Sequence, residues 1–261
     1  MANVEKLYFP SRFRTPLEQY LPDQHSPQPE GRPFITLTYA CSLDSKIAAA
    51  EGVQTILSGP MSKAMTHFLR TKHDAILVGS GTAITDNPGL NSRLSDALDA
   101  PGTTLQPRPV ILDRRQRWQQ YPNSKVVSLA REGRGKQPWI FIEPYTFAFS
   151  HEPKGRYYEQ NLLGATIFSY HSLPDVFTIL HEKGIRSVMI EGGATIINTL
   201  LQHHQDLIDS IIITYAPVYL GQGGVTVCPI KNFPDDAHAV RFRKITWLQL
   251  EEDAVMCGKL K

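Results

Sequence analysis

The chain has 261 residues, of which 41% are hydrophobic and 20% are charged, a composition typical of a globular protein with a substantial core. Its formal net charge of +2 is too small to favour nucleic acid or a membrane surface as a partner. Three widely spaced cysteines, Cys41, Cys228 and Cys257, fit neither a disulfide framework nor a zinc site, so we predict no metal.

The first segment, residues 1–32, carries five prolines: Pro10, Pro16, Pro22, Pro27 and Pro29. We predict an irregular arm on the surface of one domain formed by residues 33–261. Two interpretations of the arm are open, disorder or packing through four apolar side chains. Those side chains are Leu7, Tyr8, Phe9 and Leu21.

No apolar stretch marks a signal peptide at this N-terminus, and no run approaches the ~20 apolar residues that span a bilayer. Since the cysteine usage also favours a reducing compartment, we expect a cytoplasmic protein. A nuclear location is the alternative.

Strands and helices alternate from residue 33 onwards. Apolar runs predict strands at 34–40, 75–78, 109–112, 125–128, 139–142, 165–169, 187–190 and 210–215. Helices are predicted at 61–69 and 196–201. A third helix is predicted to begin at Ser172, which forms a capping-box pattern with Asp175, and to end at about residue 183. A closing hairpin is predicted at 240–250 and 254–259, and loops at 99–107 and 129–160. The expected fold class is therefore α/β, with a mostly parallel sheet and a C-terminal antiparallel hairpin.

The run at residues 74–93 contains the first candidate ligand site. A predicted buried strand ends at a Gly-Ser-Gly turn, and polar side chains follow at Thr82, Asp86 and Arg93. In α/β enzymes such groups at the carboxyl edge of a sheet hold phosphorylated ligands. The run is not a dinucleotide fingerprint, because Ile84 stands where the third glycine would be. An ordinary turn capped by Asp86 is the alternative.

A second candidate turn lies between the predicted strand at 187–190 and the next helix. Gly192 and Gly193 follow Glu191 and would let a ligand approach the backbone closely. The free amides and positive dipole of the helix N-terminus favour a pyrophosphate. A tight turn without a ligand is common, but two such turns in one sheet make it a weaker interpretation.

Asp44 and Lys46 follow the first strand, where an acid and an amine could bind substrate or transfer a proton. Their spacing alone favours a surface salt bridge instead. Both residues are candidates for a catalytic role.

Arg114 and Arg115 follow the strand at 109–112. Arginines at this position could bind a 2′-phosphate and so favour NADPH over NADH. A solvated basic turn is an equally good interpretation.

Four segments occur in an order and spacing that match a known family: residues 42–48, 78–88, 190–194 and 216–224. On these motifs the chain resembles the stand-alone riboflavin-pathway reductases of fungi and archaea that act on 2,5-diamino-6-ribosylamino-4(3H)-pyrimidinone 5′-phosphate. The resemblance implies a dihydrofolate-reductase-like fold, a homodimer and NADPH-dependent reduction of a ribosyl chain to a ribityl chain. The strand at 211–213 and the hairpin are candidates for the dimer interface.

The resemblance also implies roles for individual residues. The implied cofactor contacts are Thr82, Asp86, Ile167, Glu191, Gly192, Gly193, Ala194 and Thr195, with Ile167 expected to end its strand. The implied substrate contacts are Arg70, Leu90 and Arg93, with Arg93 and then Arg70 on the phosphate. The chain departs from the family at Ser45, where glycine is usual, and it lacks the zinc deaminase motif. A folate or pterin reductase of the same fold and a non-catalytic NADP-binding module are the rival interpretations.

Overall fold

A computed structural model of the chain describes residues 5–23, 29–119, 121–143, 159–228 and 240–260. Its strands are β1 Phe34–Cys41, β2 Lys46–Ala48, β3 Ala75–Gly79, β4 Arg108–Leu112, β5 Trp139–Ile142, β6 Glu159–Leu162, β7 Ala165–Ser169, β8 Ser187–Gly192, β9 Ser210–Tyr215, β10 Val225–Thr226, β11 Phe242–Leu250 and β12 Asp253–Leu260. Its α-helices are α1 Ser11–Glu18, α2 Pro60–Thr71, α3 Ser80–Asp86, α4 Ser95–Asp99, α5 Lys125–Arg131, α6 Leu173–Glu182 and α7 Ala194–His203.

Among the described residues, ten strands form the main sheet, in the order β11-β12-β9-β1-β8-β3-β4-β5-β7-β6. The strands from β9 to β7 are parallel, and antiparallel strands lie at both edges. The predicted fold class is confirmed, including the closing hairpin of β11 and β12. Because β8 returns late in the chain to lie between β1 and β3, the strand order reverses there. Ligands of open α/β sheets bind at the carboxyl ends of strands around such a reversal.

The predicted helix after Ser172 begins with the capping box that its sequence indicates. The Asp175 amide donates to Ser172 Oγ at 3.3 Å, and the Ser172 amide donates to Asp175 Oδ2 at 3.0 Å. These two bonds satisfy amides that a helix N-terminus otherwise leaves without a partner. The prediction is therefore confirmed at the level of individual atoms.

The strand predicted at 125–128 is wrong, because these residues begin α5. Val126, Val127 and Leu129 are buried on one side of this helix, and the Lys125 amide donates to Asn87 Oδ1 at 2.9 Å. A short apolar run does not distinguish a buried strand from a buried helix face.

Other elements escaped prediction. Helices α1, α3 and α4 and strands β2, β6 and β10 belong to segments without a clear apolar period. The loop predicted at 129–160 is wrong at both ends. Residues 129–131 lie in α5, and residues 159–160 begin β6. Its residues 144–158 lie outside the described residues.

In the part of the chain that the structure describes, three buried apolar clusters hold the sheet and its helices together. The first packs α6 and α7 on one face of the sheet. The second packs α1 and α2 against the opposite face and the hairpin. The third lies beside α3 and α5 and reaches β3, β4, β5 and β7.

The N-terminal arm is part of the second cluster. Leu17 has no exposed surface, and Leu7, Phe9 and Leu21 are buried, which favours packing over disorder, the other interpretation left open for this segment. Tyr8 does not share this packing and is 67% exposed. The prediction of an irregular arm is therefore wrong over α1. The number of prolines in this segment gave no indication of a helix with a buried face.

The segment that follows α3 is fastened to α2 through the buried His67. Its Nδ1 accepts the Arg93 amide at 2.8 Å, and its carbonyl oxygen accepts Ser92 Oγ at 2.8 Å. Burial and then the nearby Arg70, Arg93 and Lys63 lower the pKa of His67 to about 2. The ring is therefore neutral at ordinary pH and positions the Arg93 backbone without adding a charge.

We expect Leu17→Ala to lower the free energy of unfolding by about 2–4 kcal/mol, because it leaves a cavity between α1 and α2. Urea denaturation measures the loss. Tyr8→Ala is the matched control in the same arm and should change stability by less than about 0.5 kcal/mol. Equal, small effects of both variants would show that the arm is not part of the folded core.

The His67 environment predicts that acid destabilises the fold. The unfolded histidine titrates near its ordinary pKa of about 6.5, so the unfolded chain binds the extra proton first and stability falls as pH drops below that value. We expect His67→Gln to lose less stability than the wild type between pH 7 and pH 5, by roughly 1 kcal/mol or more. Denaturation at both pH values tests this. The exposed His203→Gln control should retain the wild-type dependence, and an unchanged dependence in His67→Gln would contradict the assignment.

Candidate active site

Two glycine-containing turns meet at the carboxyl ends of β3 and β8, which are adjacent parallel strands. A Cβ atom at Gly193 would come within 3.1 Å of Thr82 Oγ1. One at Gly79 would come within 3.1 Å of Ile196 Cδ1 and 3.8 Å of the Gly193 nitrogen. The two turns therefore lie so close together that a Cβ atom at either glycine would require a neighbouring side chain to shift by a few tenths of an ångström.

The turn at 191–195 leads directly into α7. Gly192 has φ +113°, its peptide bond to Gly193 is cis, and Gly193 is the N-cap residue of the helix. No side chain caps α7 among the described residues. Ala194 and Thr195 form the first turn, where unpaired amides and the positive dipole end favour an anion. The four predicted cofactor residues after Glu191 thus form one continuous turn.

Thr82 and Asp86 lie one helical turn apart on α3, so they share a face of this helix. Thr82 is the one adjacent to Gly193. Asp86 is half-buried, and this burial raises the pKa of its carboxyl. The helix ends at Asn87, which has φ +40°. The Gly-Ser-Gly run is therefore the start of a helix and not an open loop.

A bidentate ion pair joins Arg70 to Glu191. Arg70 Nε donates to Glu191 Oε1 at 2.8 Å, and Arg70 Nη2 donates to Glu191 Oε2 at 2.7 Å. Arg70 Nη1 also donates to the Asn91 carbonyl at 2.9 Å. Both side chains are mostly buried, at 13% and 16% exposure. The pair was not predicted, and it links α2, the end of β8 and the segment after α3.

Arg93 lies at the far end of that segment. Its guanidinium Nη1 donates to Glu5 Oε2 at 3.0 Å, and its side chain is partly exposed. Arg93 and Arg70 both lower the pKa of the same buried histidine, His67. The exposed part of the Arg93 side chain is open to a ligand anion.

Leu90 and Ile167 are buried in the third cluster, at 1% and 4% exposure. Ile167 was expected to end its strand, which is wrong because β7 continues to Ser169. Neither side chain is open to a ligand in this conformation, so any contact with a ligand would be through the backbone. Motif matching identifies such positions without revealing which way their side chains point.

Asp44 and Lys46 do not form the salt bridge that their spacing favoured. Asp44 accepts hydrogen bonds from Ser42 Oγ at 2.6 Å and from the amides of Leu220 and Gly221 at 3.1 and 2.8 Å. These bonds lower its pKa to about 2, so it is a carboxylate at neutral pH and a poor proton donor. Lys46 Nζ donates to Thr226 Oγ1 at 2.6 Å.

Ser45, between these two residues, has φ +58°. This left-handed conformation is one that glycine adopts without strain. The glycine usual at this position in the resembled family thus has a local explanation, and this chain retains the turn with serine.

The arginines after β4 differ in their freedom to bind a ligand. Arg114 donates twice to Glu143 Oε1, at 2.9 and 2.7 Å. Arg115 is exposed. Arg117 Nη2 lies 3.4 Å from Ser80 Oγ, at the first residue of α3. A basic group therefore borders the turn after β3.

The described ranges contain no group of three or more histidine, cysteine or acidic residues that could hold a metal ion. In the same ranges no α-helix combines the length and the apolar character of a membrane span.

Similarity to known proteins identifies the family of this chain. The RibD C-terminal domain matches residues 33–256. Two relatives named 2,5-diamino-6-ribosylamino-4(3H)-pyrimidinone 5′-phosphate reductase come from Candida glabrata and Saccharomyces cerevisiae. They are 42% and 37% identical, over 94% of this chain and 95% and 93% of their own lengths.

Solved structures agree with the sequence comparison. The Saccharomyces riboflavin biosynthesis reductase Rib7 superposes with a TM-score of 0.73 at 32% identity, covering 96% of this chain and all of its own. Acinetobacter baumannii RibD gives a TM-score of 0.71 at 26% identity, covering 89% of this chain and 59% of that one. The resemblance drawn from the four sequence segments is therefore confirmed, and the chain belongs to the RibD C-terminal domain family of reductases.

Proposed function

We propose that this chain reduces the ribosyl side chain of 2,5-diamino-6-ribosylamino-4(3H)-pyrimidinone 5′-phosphate to a ribityl chain, as a step of riboflavin biosynthesis. The observation that carries the proposal is the meeting of the turns after β3 and β8, with the Arg70 guanidinium joined to Glu191 at the end of β8. Relatives whose printed name is this reductase, aligned over almost the whole chain, support the choice of substrate.

NADPH is the cofactor we propose. The residues fit its pyrophosphate, because the N-terminus of α7 offers amides and no side chain caps it among the described residues. Thr82 and Asp86 would also contact it from α3. When bound, NADPH supplies the hydride, and the protein contributes position and electrostatics.

A basic group at the carboxyl end of β4 supports NADPH over NADH. The 2′-phosphate would require a cation, and arginine binds phosphate well. Of the two predicted arginines, Arg115 is the freer, because Arg114 already donates to Glu143. Arg117, beside Ser80, is an additional candidate.

The substrate side of the site depends on how the two arginines are held. Arg93 is partly exposed and would bind the 5′-phosphate. Arg70 is held by Glu191, so little of its guanidinium group is open to a ligand. Its proposed role is to orient the substrate. Asp44, a carboxylate at neutral pH, holds the segment at 220–221, so water is the better proton source for the reaction.

We also propose a cytoplasmic homodimer. Of the two interfaces considered from sequence, the strand at 211–213 is buried within the chain itself, which leaves the hairpin. Ile245 and Trp247 are exposed on the edge strand β11, and the Trp247 ring lies 5.9 Å from that of Tyr215. An exposed apolar edge of this kind supports pairing with a second copy.

Turnover measured with the purified chain tests the function. We expect loss of the nicotinamide absorbance band and formation of the ribityl product with NADPH and the phosphorylated pyrimidine. Dihydrofolate should give no turnover, because it carries no 5′-phosphate for Arg93. Turnover of dihydrofolate alone would favour the folate reductase, and cofactor binding without turnover would favour the non-catalytic module.

Arg93→Ala is the accompanying variant, expected to raise KM by about tenfold or more through loss of a charged hydrogen bond. The exposed Arg241→Ala, at the start of the hairpin, is the matched control. An unchanged KM in Arg93→Ala would remove this residue from the phosphate site while leaving the reaction itself intact.

A further inference from the structure

One carboxylate oxygen lies between two cations beside the proposed phosphate site. Glu5 Oε2 is 3.0 Å from Arg93 Nη1 and 3.3 Å from Lys63 Nζ. Lys63 and then Arg93 lower the pKa of Glu5, so this group is an anion at neutral pH. Two cations sharing one oxygen make a geometry that also suits a phosphate oxygen.

Lys63 lies on the same face of α2 as two residues already described. Lys63, His67 and Arg70 follow the spacing i, i+4 and i+7, so their side chains share one side of the helix. His67 is held neutral, which leaves Lys63, Arg70 and Arg93 as the charges that surround it. Arg70 is committed to Glu191. Lys63 and Arg93 are instead paired with the exposed carboxylate of Glu5.

Backbone pairing places Glu5 at this position. The Leu7 amide donates to the Arg93 carbonyl at 2.9 Å, and the Ser95 amide donates to the Leu7 carbonyl at 2.9 Å. Lys6 adds an ion pair with Asp99 at 2.7 Å. Because these contacts fix the chain two residues away, Glu5 is presented to Arg93 by the fold of the arm.

We propose that Lys63 and Arg93 form one anion site that Glu5 occupies in the substrate-free protein, and that the substrate's 5′-phosphate replaces Glu5 there. This inference rests on the proposed function. It adds Lys63 as a phosphate ligand, and it makes Glu5 an internal competitor carried by the N-terminal arm.

The contacts of Glu5 are of the kind that a substrate can displace. Glu5 is 62% exposed, and ion pairs in such positions contribute little to stability. A phosphate carries more charge and offers three acceptor oxygens, so it can bind both cations more strongly than one carboxylate oxygen does. The arm keeps its buried contacts during the exchange, because the exchange requires only the Glu5 side chain to move.

Calorimetric titration of the full chain with ribose 5-phosphate tests the site without depending on turnover. We expect Lys63→Met to weaken binding by about tenfold, through loss of a charged hydrogen bond. Glu5→Gln should tighten binding by about twofold to fivefold, because the competing charge is removed while the side chain keeps its size. KM for the full substrate should move in the same directions.

Two controls match these variants. Lys72→Met removes an exposed cation at the opposite end of α2, and Glu18→Gln removes an exposed carboxylate in the same arm. Neither should change ribose 5-phosphate affinity. Unchanged affinity in Lys63→Met, or equal or weaker affinity in Glu5→Gln, would overturn the inference. If these affinities shift as expected but NADPH is not oxidised, the anion site stands and the proposed reaction fails.

Discussion

The buried ion pair between Arg70 and Glu191 is the contact on which the rest of the site depends. It joins a helix to the end of a neighbouring strand, and a third bond from Arg70 reaches Asn91. The pairing of β3 with β8 shifts at Glu191, because Leu77 pairs with Ile190 but Val78 pairs with Gly192. Removing either charge would leave the other buried without a partner, which costs about 3–5 kcal/mol in comparable pairs. The pair therefore links the turn proposed for the cofactor to the segment proposed for the substrate.

Close approach is the second constraint. Gly79 and Gly193 permit the turns after β3 and β8 to touch, and a side chain at either position would meet an atom at 3.1 Å. The two turns then act as one surface, with Thr82 on one side and the start of α7 on the other. Catalysis by a reductase of this kind depends on holding cofactor and substrate in register, so a rigid junction between the turns is functionally useful.

Local sequence patterns predicted the sheet well, because each parallel strand is a short apolar run bounded by turn residues. These patterns failed where the structure depends on contacts between residues that are far apart in the sequence. The run at 125–128 reads as a strand until its burial under α3 and against Asn87 is known. The Arg70–Glu191 pair joins residues 121 positions apart, and no spacing rule reaches that far. Leu90 and Ile167 were matched by motif, yet their side chains point into the core.

The central claim is that one cofactor bridges the turns after β3 and β8 while the substrate phosphate lies at Arg93. A crystal structure with NADPH and ribose 5-phosphate tests it most directly. The account predicts the pyrophosphate within about 3.5 Å of the amides that begin α7, Thr82 in contact with the cofactor, and the sugar phosphate on Arg93. Cofactor density elsewhere on the sheet, or a sugar phosphate remote from Arg93, would contradict it.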